Sequence, residues 1–159
     1  MVEGAVNTDE DEGVVSFSAD GKTMYLTRCL IDSESPRMAQ IYKSTRSDAS
    51  WSAPTPCELV KDTLSSFAHP AVSPDGAWLY FVSDMSGGMG GLDIWRIAIT
   101  GDGFGGVENL GAPVNTPGNE MFPTFRPNGD LYFSSDGHVG MGGLDLFKAE
   151  EFAKVIKIN

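Results

Sequence analysis

Along the chain, apolar residues alternate with polar ones over short stretches and rarely follow a helical period. Met24-Tyr25-Leu26, Leu79-Tyr80-Phe81 and Leu131-Tyr132-Phe133 are rich in strand-forming residues. So are Ile41-Tyr42-Lys43, Ile94-Trp95-Arg96 and Leu146-Phe147-Lys148. Such runs predict β-strands. Each run of the first set follows a turn: Ser18-Ala19-Asp20-Gly21, Ser73-Pro74-Asp75-Gly76 or Arg126-Pro127-Asn128-Gly129. Asp-Gly and Asn-Gly between β-rich runs signal hairpins, because glycine reaches positive φ at little cost. Phe17, Val72 and Phe125 stand just before the turns, as core residues would. Only Glu150–Lys154 reads as a possible turn of helix.

The three turns lie 55 and 53 residues apart, and 11 residues before each stands Asn7-Thr8, Asp62-Thr63 or Asn115-Thr116. Matches at so constant a spacing define three copies of a repeat of roughly 54 residues. The copies span about residues 7–61, 62–114 and 115–159 of one segment. In each, a first strand precedes the turn. The prolines of His69-Pro70 and Phe122-Pro123 place it at an edge or a strand start, since proline lacks a donor N–H. A fourth strand is expected near Pro56–Val60, Val107–Leu110 and Val155–Ile158. Short antiparallel strands in fours, repeated at this period, are the blades of a β-propeller. The expected fold is all-β: a partial β-propeller of three four-stranded antiparallel blades.

Composition narrows the function classes. Nineteen glycines and nine prolines suit the many turns, and 41% hydrophobic residues suit a packed core. The net charge of −11 repels phosphate backbones and argues against nucleic acid as a partner. No apolar run approaches the ~20 residues of a membrane helix. Cys29 is expected to end a second strand and Cys57 to lie in an outermost one. Two strand spacings, about 9–10 Å, exceed the ~7 Å Cα separation of a disulfide, so free thiols are expected.

Several segments resemble a known family. The turn "SPDG", the following "LYFVSD", the "GGMGGLDIW" that opens a third strand and the link "NLGAPVNTPGNEMFP" are similar to WD40-like PD40 repeats of TolB-type propellers. Their look is closest to Bacteroidetes-type cell-envelope proteins that combine TPR repeats, such a propeller and an OmpA-like domain. Blade 1 departs from the pattern, with "LIDSESPRMAQ" where the glycine run should be, although its "WSAPTP" fits. Kelch repeats, the rival at this period, expect a double glycine after the second strand, where Ser83-Asp84 and Ser135-Asp136 stand. The resemblance implies a periplasmic or outer-membrane-associated location and protein partners in the envelope. It carries no peptidoglycan binding, because nothing here matches the OmpA-like part.

The sharpest chemical candidates are the glycine loops. Gly87–Asp93 recurs as Val139–Asp145, with Asp84 and Asp136 at equal distances before the loops. Asp84, Asp93, Asp136 and Asp145 are therefore candidate Ca²⁺ ligands, since Ca²⁺ takes 6–8 oxygens. Against this, Cys29 and Gln40 occupy the matching positions of blade 1, and glycines with aspartates also build tight hydrogen-bonded loops. The expectation is no metal and no cofactor. Nor does the loop cradle phosphate, since Leu-Asp rather than Lys-Ser or Lys-Thr follows it. The acidic run Asp9–Glu12 is expected to be a solvated link.

His69 aligns with Val14 and Phe122, which argues for packing, whereas His138 is expected to be exposed in its glycine loop. No Ser/His/Asp or Cys/His set shows motif spacing, so no catalytic residue is assigned. Trp95 aligns with Tyr42 and Phe147 and is expected in the core. Trp78 aligns with no large residue and is the candidate exposed aromatic for ligand stacking. The expected function is a non-enzymatic interaction scaffold of the bacterial cell envelope. The alternatives are a glycan-binding propeller and a propeller of lyase or peptidase-accessory type. Three blades alone leave their end faces uncovered, so self-association through the end blades is expected as well. The loop reading has a direct check. Thermal melts in EDTA and in millimolar Ca²⁺ should agree within about two degrees, since a bound ion stabilises by mass action. A large upward shift with Ca²⁺ that Asp93→Ala abolishes would overturn it.

Overall fold

The computed structural model describes residues 5–29, 38–47, 50–101, 103–150 and 154–158. All its regular elements are strands. The first sheet holds β1 (Asp11–Phe17), β2 (Thr23–Cys29), β3 (Ala39–Ser47), β4 (Ser50–Trp51) and β5 (Thr55–Pro56). The second holds β6 (Phe67–Val72), β7 (Trp78–Ser83), β8 (Asp93–Thr100) and β9 (Gly103–Asn109). The third holds β10 (Glu120–Phe125), β11 (Leu131–Ser135), β12 (Asp145–Glu150) and β13 (Lys154–Lys157). Each sheet is an antiparallel meander in chain order.

The hairpin turns form where the sequence places them. Ser18 Oγ donates to Asp20 Oδ1 at 2.6 Å, and the Lys22 N–H donates to the same oxygen at 3.0 Å. Asp75 likewise accepts from Ser73 Oγ and the Ala77 N–H. Gly21, Gly76 and Gly129 take the positive φ that closes each turn.

The fourth strands differ from expectation. In the first sheet the outer position is shared by β4 and β5, both paired to β3, because Ala53-Pro54 interrupts it. Residues 57–60 follow β5 without strand geometry, so the expected strand over Pro56–Val60 shrinks to Thr55–Pro56. β9 begins at Gly103, earlier than Val107, because a bulge at Ile97/Ile99 lets the ladder continue to Thr100↔Gly103. β13 ends one residue before Ile158. Glu150 and Lys154 belong to paired strands and not to a helical turn. The rest of that segment, like residues 30–37 of blade 1's divergent loop, lies outside the described residues.

The sheets stack face to face. Along β7, Leu79 and Phe81 point to the first sheet, into a cluster with Tyr25, Ile41, Leu59, Trp95 and Ile97. Tyr80 and Val82 point to the third sheet, with Ile94, Leu131, Phe133 and Phe147. This is the two-residue period of a strand, and because both faces are covered β7 reads in sequence as one apolar run. Trp95, Tyr42 and Phe147 are all buried, as their alignment implies.

The first strands β1, β6 and β10 run side by side. Each carries a bulge at the same place, between Gly13/Val15, Ala68/Ala71 and Met121/Thr124. His69 and Phe122 sit in two of these bulges at φ 51° and 56°. Cross-blade hydrogen bonds tie β6 to the first sheet: the His69 N–H donates to Thr27 Oγ1 of β2 and the Val72 N–H to Ser16 Oγ of β1, both at 2.9 Å.

Cys29 ends β2 opposite Ala39, and the Cys57 N–H donates to the Ile41 carbonyl on the far side of β3. Both thiols are free, and burial pushes the Cys57 thiol up to about 12.

Turn chemistry gives these hairpins an acid dependence. The serine hydroxyl and then the backbone N–H hold Asp20 and Asp75 below the ordinary carboxylate range. A depressed native pKa stabilises above the unfolded value of about 3.9, and that contribution is lost as pH falls through the native value. The Asp20→Asn/Asp75→Asn variant is therefore expected to melt lower than wild type at pH 7. It should also lose less melting temperature between about pH 4.5 and 2.5. Parallel acid profiles for the two proteins would refute this.

Candidate functional site

The Met89 N–H donates to Asp93 Oδ2, which also accepts from Asn109 Nδ2 at 2.9 Å. Blade 3 repeats the contact: the Met141 N–H donates to Asp145 Oδ2 at 2.6 Å, and Lys157 Nζ lies 3.2 Å from Oδ1. The Met141 N–H holds Asp145 below its ordinary pKa. Asp84 accepts the Ser66 N–H at 2.8 Å, while Asp136 accepts the N–H and the side-chain amide of Asn119 at 2.7 and 2.9 Å. The two acids of each blade thus do separate work. One closes the glycine loop, and the other pins the segment leading into the first strand. Among the described residues no three metal-ligating side chains gather, and Asp93 Oδ1 is buried without a hydrogen-bond partner.

Glycine is required in blade 2's loop by close approach. A Cβ on Gly88 would overlap the Asp93 carboxylate, and one on Gly90 would overlap the Thr116 and Gly118 carbonyls. The second contact reaches the next blade. The Gly91 N–H donates to the Gly118 carbonyl at 2.9 Å, the Leu92 N–H to Asn119 Oδ1 at 3.1 Å and the Glu120 N–H to the Leu92 carbonyl at 2.6 Å. Asn115 completes the clasp. Its Oδ1 accepts the Ile94 N–H and its Nδ2 donates to the Ile94 carbonyl, each at 2.9 Å, so one amide side chain pairs with β8 as a strand would. Glu120, fully buried, accepts from the Thr116 hydroxyl and the Ser135 hydroxyl, both at 2.6 Å.

Sequence reasoning singled out the Asn-Thr pairs but not their partner glutamate. The signal was available: Glu12 follows Thr8 at the spacing by which Glu120 follows Thr116. Glu12 accepts the Thr8 hydroxyl at 2.6 Å and lies 3.3 Å from Arg28 Nε, whose side chain is buried. The acidic run is therefore more than a solvated link. It carries an ion pair at the start of β1.

The histidines divide against expectation. His69 packs as its alignment implies, stacked on Phe122 at 4.1 Å between ring centroids and half-buried, and burial holds its pKa down. His138 is not exposed. It is half-buried, with Nε2 2.9 Å from the Val114 carbonyl and its ring 4.8 Å from that of Phe147. The link residue Val114 supplies the acceptor that draws this ring inward.

Trp78 is also half-buried, and Arg96 covers one face at 4.2 Å while ion-pairing with Glu108 at 2.7 Å. Its arginine neighbour across the hairpin was invisible to an alignment of copies. Trp78 still borders an open cleft of about 440 Å³ between the turns of blades 2 and 3, with Tyr80, Arg96, Phe125 and Asn128. A second cleft of about 460 Å³ runs along the three inner strands. Val14, Val15, Phe17, Pro70, Phe122 and Pro123 line it, and Val15, Phe17 and Phe122 are 49%, 48% and 43% exposed.

Three stacked meanders whose first strands lie together define the class of the protein: it is a β-propeller protein. Comparison with solved structures places the fold with TolB-type propellers. The chain is similar to TolB from Acinetobacter baumannii, with a TM-score of 0.60 and 15% identity over 96% of this chain and 33% of that one. It is similar to a Mycobacterium tuberculosis puromycin-hydrolyzing peptidase, with a TM-score of 0.60 and 17% identity over 94% and 22% of the two chains. It also resembles a prolyl endopeptidase, with a TM-score of 0.55 and 17% identity over 92% and 19%. The chain thus spans a third or less of these proteins, and the likeness is one of fold. No protein-family model matches the chain, and no curated protein matches it either.

The clasp between blades 2 and 3 can be tested by one methyl group. Gly90→Ala should cost about 2 kcal/mol or more, because backbone carbonyls of the next blade cannot yield as a side chain does. Gly106→Ala, with nothing within 4 Å of the added carbon, should change stability by no more than about 0.5 kcal/mol. Equal urea midpoints for the two variants would refute the assignment.

Proposed function

We propose that the chain is a non-enzymatic protein-interaction scaffold of the bacterial cell envelope. The observation that carries this reading is the cleft along the inner strands, where Val15, Phe17 and Phe122 expose apolar side chains. Phe17 and Phe122 would leave such a surface only at a cost in water, and contiguous exposed apolar patches tend to be binding surfaces. The bulges that turn Val14 and Phe122 outward recur in register, so the blades present the patch as one rigid strip. The likeness to TolB supports the envelope setting and protein partners. In this reading the half-buried His69 packs on Phe122 and performs no proton transfer.

A second reading rests on the other cleft. Trp78 and Phe125, with the amide of Asn128 and the cation of Arg96, offer stacking faces and hydrogen bonds suited to a glycan. Two measurements separate the readings. A photo-crosslinking residue in place of Phe122, in cells of the source bacterium, should trap a protein in the envelope fraction. The adduct should disappear with Val15→Lys. Absence of any adduct, with saturable quenching of tryptophan fluorescence by oligosaccharides that Trp78→Ala removes, would replace the scaffold by the glycan reading. Peptide or ester hydrolysis lost in a folded His69→Ala protein would overturn both.

A further inference from the structure

The two junctions between blades follow one plan and are filled differently. Where blade 2 meets blade 3, the backbone of Ile94 is fully paired on the side that faces the junction. Its carbonyl accepts from the Leu110 N–H at 3.2 Å and from Asn115 Nδ2 at 2.9 Å, and its N–H donates to Asn115 Oδ1 at 2.9 Å. Ile41 stands at the matching place in blade 1. Its carbonyl accepts the Cys57 N–H at 2.8 Å, which repeats the Leu110 bond. In a strand the N–H and carbonyl of one residue point to the same side, so the Ile41 N–H faces the junction as well. Among the described residues no carboxamide bonds to it or to the Ile41 carbonyl. Asp62 replaces Asn115, and a carboxylate cannot donate to a carbonyl. Its Oδ1 accepts the N–H groups of Leu64 and Ser65, and its Oδ2 accepts the Ser65 hydroxyl at 2.7 Å.

The place that the Asn115 amide fills in one junction is a cavity of about 230 Å³ in the other. Its walls are the counterparts of the residues around Asn115. Gln40, Ile41, Pro56 and Cys57 match Asp93, Ile94, Asn109 and Leu110. Phe67 closes it, opposite Ser83 as Glu120 is opposite Ser135. Blades 1 and 2 enclose this space between them. Ile41 is 1% exposed, and a buried N–H without an acceptor is costly. One water needs only roughly 10–15 Å³ and leaves most of the cavity empty. An apolar group would fill it but leave the N–H idle.

We propose that this cavity takes the carboxamide of an asparagine or glutamine side chain from a partner protein, an inference that rests on the scaffold reading. The amide oxygen accepts the Ile41 N–H and the amide nitrogen donates to the Ile41 carbonyl, the pair of bonds that Asn115 makes at Ile94. Glu58 and Asp62 also line the cavity, and no basic side chain does. Charge complementarity therefore favours a basic residue beside the amide in the partner.

Magnetic resonance on the whole isotope-labelled chain tests this with three end-blocked peptides, Lys-Asn-Lys, Lys-Asp-Lys and Lys-Leu-Lys. The asparagine peptide should shift the Ile41 and Cys57 N–H signals and saturate. The other two, neither of which offers both a donor and an acceptor, should bind about tenfold more weakly or worse. Cys57→Phe, which puts a ring into the cavity, should abolish the Ile41 response in a protein with the wild-type far-ultraviolet spectrum. If that variant does not fold, the peptide series on wild type decides alone. Equal shifts from all three peptides, or none at Ile41, would overturn the site. The Phe122 crosslink reads the inner-strand cleft, so it can stand when the amide site fails, and the two readings are separable. Acetamide that binds as tightly as the asparagine peptide would assign the cavity to a free amide and reject the protein partner.

Discussion

A blade of this protein is apolar on both faces, and that constraint shapes everything else. A strand such as β7 sends Leu79 and Phe81 one way and Tyr80 and Val82 the other, so neither face can be left to water. One blade cannot satisfy itself; it needs a neighbour on each side. Among the described residues blade 2 has one on each side, and its strands hold many of the fully buried side chains, among them Leu79, Phe81, Ile94 and Ile97. Blade 1 meets the constraint differently at its outer face. Val6 covers Met24, Leu26 and Tyr42, with Trp51 packed against them and the Arg28 guanidinium over the Tyr42 ring.

Apolar faces bring blades together, but they do not fix the register between them. Polar groups do that. Burying Asn115 and Glu120 would be costly if any of their hydrogen-bonding groups were idle, and their partners are supplied from the link, β8 and β11. The junction between blades 1 and 2 lacks this clasp. Asp62, which stands where Asn115 does, turns to the N–H groups of Leu64 and Ser65 instead. That junction relies on the cluster around Phe81, together with the two cross-blade bonds from β6. The glycine run belongs to the same account. In blade 2 Gly90 lets the next blade's backbone dock, and Gly88 leaves room for the Asp93 carboxylate of its own loop.

The fold alone does not name a function, since propellers host many. What distinguishes this one is where its apolar side chains reach water. They do so along the inner strands, where recurrent bulges turn them outward.

The repeat, the first three strands of each blade and the hairpin turns are legible in the sequence, whereas the bounds of the fourth strands differ from it and Phe17, read as a core residue, is 48% exposed. The legible elements are set by local chemistry: Asp-Gly turns, period-two patterning and proline at a strand edge. The core places of Trp95 and Tyr42 follow from the same period. The sequence also marked the four aspartates and the Asn-Thr pairs as special, but not what they do. Asp93 and Asp145 close their own loops, and Asp136 and Glu120 tie the link and β10 to β11 of the same blade, whereas Asn115 joins β8 of the blade before, which only blade stacking brings alongside. His138 is drawn inward by the Val114 carbonyl, and Trp78 is covered by Arg96 across the hairpin. The difference is one of range. Turns and strands depend on neighbours a few residues away, so the sequence determines them. The partners of a buried polar group depend on which blade lies alongside, and only the tertiary structure decides that.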